Sequence, residues 1–160
     1  LKRRQQKLRP GDIVAIQLDG GIYSFGRVLK NPEMAFYGLR ASDLSAPEKA
    51  IETPIIFTCW VMNVAVTGGH WPIVGHVPLS GDLLTERYYL LRDQLNGRFS
   101  ITLHGEAGRP ATSNEDMSPE PAMVWDPIHV EDRLRSHFKG EPCVWLQSFW
   151  RPIPSGASYN

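Results

Sequence analysis

Short runs of apolar residues separated by turns pattern the first third of the chain. Residues 13–18 and 22–29 are two such runs, with Asp19-Gly20-Gly21 between them. Asp-Gly between apolar runs is typical of a β-hairpin, because glycine accepts the positive φ that the turn requires. Gly26, inside the second run, indicates a bulge or a close approach of a neighbouring strand. A further short strand is expected at residues 35–37.

Three more segments have the pattern of strands. Residues 55–62 are β-branched and aromatic and predict a buried strand. Residues 71–75 predict an edge strand, because the proline within them has no N–H to donate to a neighbour. Residues 99–103 alternate between apolar and polar, and with residues 88–91 and the Asn-Gly pair at 96–97 they predict a hairpin with one solvated face.

One helix is predicted, near the carboxy-terminal end. Asp126 is expected to cap it and Gly140 to end it. Glu131 and Arg135 lie four residues apart and are expected to form an ion pair. The buried face is expected to carry an apolar stripe at a spacing of four residues, formed by Val130, Leu134 and Phe138.

These elements together predict an α+β fold that is mainly antiparallel β. Apolar residues occur on both faces of the first hairpin, which favours a curled sheet or a small SH3-like barrel over a flat open sheet. The carboxy-terminal helix is expected to pack on this sheet.

Composition divides the 160 residues into one domain and two terminal segments. Residues 1–9 contain five basic side chains and no acid, and we expect them to be flexible. Residues 150–160 are rich in Pro, Ser and Gly and are expected to be flexible as well. Residues 10–149 are the length of one ordinary domain.

The overall charge excludes some classes of partner. The chain has 17 Lys and Arg against 17 Asp and Glu, a formal net charge of zero, which argues against binding nucleic acid or an anionic membrane over the whole surface. No stretch has the length and apolarity of a membrane span or the pattern of a signal peptide. Two cysteines without metal-ligand spacing are typical of a cytoplasmic protein with reduced thiols.

No catalytic, cofactor-binding or metal-binding residue is predicted, and we expect the protein not to be an enzyme. The motifs of nucleophile elbows, phosphate-binding loops, dinucleotide-binding turns and zinc proteases do not occur. His129 and His137 lie about 12 Å apart along the predicted helix, too far to share an ion with ligand bonds near 2 Å. His70 and His76 have no acid or cysteine beside them in the chain and are expected on the surface.

The acidic residues are concentrated in one part of the chain, which we call the acidic region. Between residues 106 and 132 there are seven acids and one base, Arg109, a local net charge of −6. They form either a solvated loop and helix start, where acids favour the helix dipole, or a docking face for a basic protein. The acids are Glu106, Glu115, Asp116, Glu120, Asp126, Glu131 and Asp132.

Three groups of motifs resemble immunity protein 26, a family of bacterial immunity proteins encoded beside polymorphic and contact-dependent toxins. The resemblance implies a non-catalytic cytoplasmic protein, without a cofactor, that binds and neutralises a cognate toxin domain such as a nuclease. The motifs are PGDIVAI at 10–16 with YSFGRVL at 23–29, the segment 57–66 followed by Trp71 and Gly75, and VWDP at 124–127 followed by VEDRL at 130–134.

The recurring motif residues are interpreted as structural, forming turns, buried aromatics and a helix cap. The partner interface is expected on exposed loops instead, and we predict that the acidic region covers a basic surface of the toxin. The oligomeric state stays open. The structural motif residues are Gly11, Asp12, Gly26, Trp60, Trp71, Trp125 and Asp126.

Two alternatives remain at this point. A Gly-Asp-Ile-Val opening also resembles the small barrel ribonuclease toxins of toxin–antitoxin pairs, but these have an Arg-Pro pair where this chain has Arg27-Val28. The near-neutral charge also fits a ribonuclease poorly. An SH3-like adaptor would bind peptide or nucleic acid through Tyr23, Phe25 and Phe36, although in a barrel these aromatics are more often core.

Overall fold

Nine strands form two β-sheets within residues 5–103 and 108–152, which the computed structural model of the protein describes. The strands in chain order are Asp12–Gln17 (β1), Tyr23–Val28 (β2), Glu33–Ala41 (β3), Ile55–Val61 (β4), Ile73–His76 (β5), Tyr89–Arg92 (β6), Phe99–Thr102 (β7), Arg109–Pro110 (β8) and Val124–Trp125 (β9). The larger sheet has the order β5-β1-β2-β3-β4-β9 and the smaller β6-β7-β8. All these pairings are antiparallel except that of β4 with β9.

Helices and 3-10 turns lie between the strands of the described chain and, in the case of α2 and α3, after the last strand. The α-helices are Val64–Thr67 (α1), Pro127–Lys139 (α2) and Val144–Trp150 (α3), and 3-10 turns occur at Asp19–Gly21, Pro47–Glu52, Gly81–Leu84 and Glu115–Met117. The α+β class is confirmed. The larger sheet is open, with β5 and β9 at its two edges. The expectation of a curled sheet is therefore confirmed, and the alternative of a closed barrel is wrong.

The larger sheet buries both of its faces, which explains the apolar residues on both sides of the first hairpin. Along β1, Val14 and Ile16 join a core that includes residues of α2, whereas Ile13 and Ala15 join a second core on the opposite face. Alternate residues of a strand point to opposite faces, so a strand covered on both sides is apolar throughout.

Helix α2 is the element that the sequence predicts most completely. The Asp126 carboxylate accepts a hydrogen bond from the Ile128 N–H at 2.9 Å, and Gly140 ends the helix in the left-handed conformation. Val130 and Leu134 are fully buried, and Phe138 is partly buried against the same core. These features are the predicted cap, end and apolar stripe.

The predicted ion pair between Glu131 and Arg135 does not form. Glu131 instead turns towards the segment before β5, and Arg135 lies 3.2 Å from Asp132 and 3.3 Å from Asp19. A surface pair on one helix is worth only about 0.2–0.5 kcal/mol, so other partners, on the same helix or on other elements, replace it readily.

Residues 120–125, which we call the strap, join the two sheets. The Leu90 N–H donates to the Glu120 carbonyl and the Ala122 N–H donates to the Leu90 carbonyl, both at 2.8 Å, along the edge of β6. Directly afterwards, the strap forms β9 and pairs with β4 of the larger sheet. The strap therefore determines how β6 faces β4.

The terminal segments are described only in part. The Gln6 side chain donates to the carbonyls of Val66 and Trp71 and accepts from the Ile73 N–H, at 2.8–3.1 Å. At the other end, the Trp150 ring lies 5.5 Å from that of Phe99. Residues 1–4 and 153–160 lie outside the described residues, and the flexibility of both termini and the domain limits stay predictions.

Candidate partner-binding sites

The residues of the acidic region are distributed over three elements. Glu106 lies outside the described residues. The others lie on the 3-10 turn before the strap (Glu115 and Asp116), on the strap (Glu120), and on the cap and first two turns of α2 (Asp126, Glu131 and Asp132). Apart from Glu115, each of these acids accepts hydrogen bonds from its own set of donors.

Glu120 pairs with a buried arginine. Its two carboxylate oxygens lie 2.9 and 2.7 Å from the two terminal nitrogens of Arg133, which is only 8% exposed. The guanidinium carbon lies 3.8 Å from the ring centre of Phe57 and 5.1 Å from that of Trp125. A charge placed between two rings and away from water requires a counter-ion. Glu120 is that counter-ion, and it attaches the strap to α2.

Glu131 and Asp132 accept hydrogen bonds from tryptophan side chains. The Trp71 Nε1–H donates to Glu131 at 3.0 Å, and the Trp145 Nε1–H donates to Asp132 at 3.0 Å. Glu131 also lies 2.6 Å from Nε2 of His70. These two carboxylates attach α2 to the segment before β5 and to α3, while Asp126 caps the helix.

The two acids at the 3-10 turn, Glu115 and Asp116, differ in how far they are engaged by neighbouring groups. Asp116 accepts hydrogen bonds from Arg109 at 2.7 Å and from the backbone N–H groups of Thr112 and Ser113 at 2.9 and 3.3 Å. The Arg109 hydrogen bond, followed by that of Thr112, holds the pKa of the Asp116 carboxyl well below its usual range. Glu115, its neighbour, is exposed. Glu115 is thus the described acid of this region that is best placed for direct contact with a partner.

Gly11 and Asp12 of the first motif hold β1 against β5. Gly11 has a φ of +96°, and a Cβ there would lie 2.7 Å from the carbonyl oxygen of Val77, so only glycine fits. The Asp12 carboxylate is buried, accepts from the Arg9 N–H at 2.9 Å and lies 2.8 Å from Nδ1 of His76.

The remaining motif residues lie in or beside the core. At Gly26 the register between β2 and β3 shifts, and a Cβ would lie 3.1 Å from the Phe36 ring, as the predicted bulge requires. Trp71 and Trp125 are each 1% exposed and belong to the core that includes residues of α2. Trp60 is only half-buried, and it lines a pocket.

That pocket, which we call the seam pocket, has a volume of about 440 Å³ and lies where the two sheets meet. Its walls come from the turn between β2 and β3, from β4, from residues 83–87, from β6 and from the strap. Two aromatic rings, those of Trp60 and Tyr89, lie 4.7 Å apart at an interplanar angle of 45°. Trp60 lies on β4 and Tyr89 on β6, so this ring contact joins the two sheets at the pocket.

A buried carboxylate forms the polar part of the seam pocket. Glu33 accepts a hydrogen bond from Arg87 at 2.6 Å and another from the hydroxyl of Tyr89. Burial of Tyr89, reinforced by its hydrogen bond to Glu33, raises the pKa of the phenol far above its usual value. Lys30 lies 3.2 Å from Glu86, so the four charged side chains of the pocket form two ion pairs.

Two large apolar side chains of the seam pocket are more than half exposed. Leu84 is 69% exposed and Val124 is 51% exposed. Apolar side chains at the mouth of a concave site are typical of a binding surface.

The seam pocket leaves little trace in the sequence, because its residues are distant in the chain. Glu33 is 54 residues from Arg87 and 56 from Tyr89. The one local signal of the pocket in the sequence is the charged residue Glu33, directly before the apolar run that begins at Met34.

The expectation of surface histidines is confirmed for His76, which is exposed, whereas His70 is half-buried. His70 and His76 lie against acids that are 61 and 64 residues away in the chain. Within residues 5–103 and 108–152, no three His, Cys, Asp or Glu side chains are grouped closely enough to hold a metal ion.

Of the residues on which the two alternatives depended, Tyr23 is half-buried and the others are internal. Phe25 and Phe36 are fully buried and provide no aromatic surface for an adaptor. Arg27 is buried, and its guanidinium donates to the carbonyls of Val77 and Pro78 at 2.6 and 2.8 Å. No helix in the described part of the chain has the length and apolarity to cross a bilayer.

Comparison with known proteins identifies one family. A model of the family described as Immunity protein 26 matches residues 9–101, more than half of the chain. The match contains the first two groups of motifs, and the third, at residues 124–134, lies beyond it. No curated protein and no solved structure matches.

Proposed function

The chain belongs to the immunity protein 26 family, and from this we propose that it binds and neutralises a cognate toxin domain in the bacterial cytoplasm. Membership makes it an immunity protein of a toxin system. The family match over residues 9–101 is the observation that carries the proposal. The toxin we have in mind is a nuclease with a basic surface, inhibited by occlusion rather than by any reaction of the immunity protein.

Charge supports a basic partner. Residues 11–160 carry 12 basic and 17 acidic side chains, so the chain beyond its first ten residues is acidic. Asp126 accepts from the Ile128 N–H, a donor without charge, and Glu115 is exposed. A fixed negative field increases the rate at which a basic partner is encountered, even where the carboxylates do not touch it.

Co-expression tests the proposed function. The toxin domain encoded beside this gene is expressed with and without the immunity protein, and growth is followed together with the integrity of cellular DNA and RNA. We expect the immunity protein to restore growth and to form a complex with the purified toxin domain. Failure of both rescue and complex formation would contradict the proposal.

A test of the role of the acidic region requires a variant that leaves the fold intact. Reversal at Asp116 or Glu120 would disturb Arg109 or Arg133, so Glu115→Lys is the informative change. At 50 mM salt we expect association with the toxin to slow about 2–5-fold with little change in dissociation, and at 500 mM salt we expect no difference.

The matched control is Glu48→Lys, the same charge change at an exposed residue in the 3-10 turn Pro47–Glu52. Equal slowing by both variants would mean that net charge alone matters. No slowing by Glu115→Lys at low salt would remove the acidic region from the interface.

A further inference from the structure

We propose that the seam pocket receives one uncharged apolar or aromatic side chain of the toxin domain, and that this side chain is the anchor of the complex. The inference rests on the proposed function and names the site and the chemistry of the contact. Its basis is the size of the pocket, its charge balance and its position beside the acidic region.

The size of the pocket suits a single anchor. A volume of about 440 Å³ lies near the lower end of the range for small-ligand sites, roughly 300–1,000 Å³. It admits a large side chain with the backbone beside it, but neither a helix nor a strand. Protein interfaces commonly place a few aromatic or apolar anchors in such pockets, where water is fully excluded.

Charge balance determines what kind of side chain fits. The Glu33–Arg87 and Lys30–Glu86 pairs already neutralise one another. A charged guest would have to break a pair or lose its hydration without compensation. An uncharged guest meets the half-buried ring of Trp60, which the buried Tyr89 supports at 4.7 Å, and covers the exposed carbons of Leu84 and Val124, which is favourable.

The walls are already in place before binding. Glu33, Trp60 and Tyr89 lie on β3, β4 and β6, and Tyr89 is fixed by its bond to Glu33. A preformed pocket loses less conformational entropy on binding than a loop that must become ordered.

Val124 links the pocket to the acidic region. It lies on the strap between Glu120 and Asp126, and it is exposed while its neighbour Trp125 is buried. A basic partner drawn to the acidic region therefore arrives beside the mouth of the pocket.

The first arm of the test uses small uncharged probes. Isotope-labelled protein is titrated with N-acetyl-tryptophanamide, N-acetyl-leucinamide and the cationic N-acetyl-lysinamide, while the NMR signals of the Trp60 indole and Tyr89 ring are followed. We expect the tryptophanamide to bind at least tenfold more tightly than the lysinamide. Equal affinities, or no shift at Trp60 and Tyr89, would overturn the proposal.

The second arm uses Leu84→Asp with Leu95→Asp as its matched control. Leu95 is 87% exposed and lies in the turn between β6 and β7, at the end of β6 opposite Tyr89. Both changes replace an exposed leucine, so we expect both variants to melt like the wild type. We expect Leu84→Asp to weaken toxin binding at least tenfold, chiefly through faster dissociation, and Leu95→Asp to leave it unchanged.

The outcomes separate this inference from the proposed function. If the wild type neither binds nor neutralises the toxin, the function itself fails, and the anchor fails with it. If the wild type binds and Leu84→Asp binds equally well, the function stands and the anchor is overturned, even where the tryptophanamide binds. A wild-type dimer that Leu84→Asp converts to a monomer would place a second copy of the chain in the pocket and overturn the toxin anchor.

Discussion

Glu120 and Glu33 are both carboxylates paired with an arginine, yet their surroundings differ. The arginine of Glu120 is enclosed between the rings of Phe57 and Trp125, within the packing that holds α2 to the larger sheet. The arginine of Glu33 lines the seam pocket, beside side chains that water still reaches. One pair supports the fold, and the other forms part of a concave surface.

The same contrast separates the acidic region from the seam pocket as a whole. A run of acids along a chain indicates negative charge, but it does not show which carboxylates are free to contact a partner. In the acidic region, Asp126, Glu131 and Asp132 are held by internal donors. The seam pocket has no net charge in its lining, and it offers shape and apolar area instead. Long-range attraction and close contact are therefore expected from different places.

The largest expected effect on stability comes from breaking the Glu120–Arg133 pair. Glu120→Gln keeps the shape of the side chain but leaves the buried guanidinium without a counter-ion. We expect the free energy of unfolding to fall by about 2–3 kcal/mol, below the value for a fully buried pair because Glu120 is partly exposed. Urea unfolding measures this. Glu115→Gln, the same change at an exposed acid, should stay within about 0.5 kcal/mol. Equal midpoints for the two variants would mean that Glu120 is not structural.

A second effect concerns the seam pocket at alkaline pH. The folded protein raises the pKa of Tyr89 above its unfolded value of about 10. The stabilisation from this group is therefore complete below pH 10 and is lost as the pH rises further, by about 1.4 kcal/mol per pH unit.

Tyr89→Phe removes this loss while leaving the other titrating groups in place. Unfolding free energies at pH 9, 10 and 11 should fall more steeply in the wild type than in the variant. Parallel curves would show that the phenol is not held neutral by burial and Glu33.

The smallest of these effects distinguishes the hydrogen bond from the charge of Asp126 at the cap of α2. Asp126→Ala removes the acceptor for the Ile128 N–H and should destabilise the protein by about 1 kcal/mol in urea unfolding. Asp126→Asn keeps an acceptor without the charge, and its free energy of unfolding should fall by only about 0.3 kcal/mol. If both variants lose the same amount, the charge rather than the hydrogen bond is what the helix requires.

The local elements of the fold follow from the chain itself. The first hairpin, the strand at residues 55–61 and helix α2 with its cap are each determined by residues close in sequence, because turns, caps and apolar periodicity act over a few residues. Two details differ. The strand expected at residues 35–37 extends over Glu33–Ala41, since pairing on both sides supports a longer strand than its apolar run indicates. The Glu131–Arg135 pair does not form, because Glu131 bonds to Trp71 and Arg135 pairs with Asp19 and with Asp132.

The sequence by itself determined the fold class, the family resemblance and the surplus of acids between residues 106 and 132. Only the tertiary structure decided what those acids do and where a pocket lies. The donors that hold Glu131 and the partners of Glu33 are more than 50 residues away in the chain. Hydrogen bonds and burial depend on distance in space, and a linear pattern of charge contains no information about contacts at that separation.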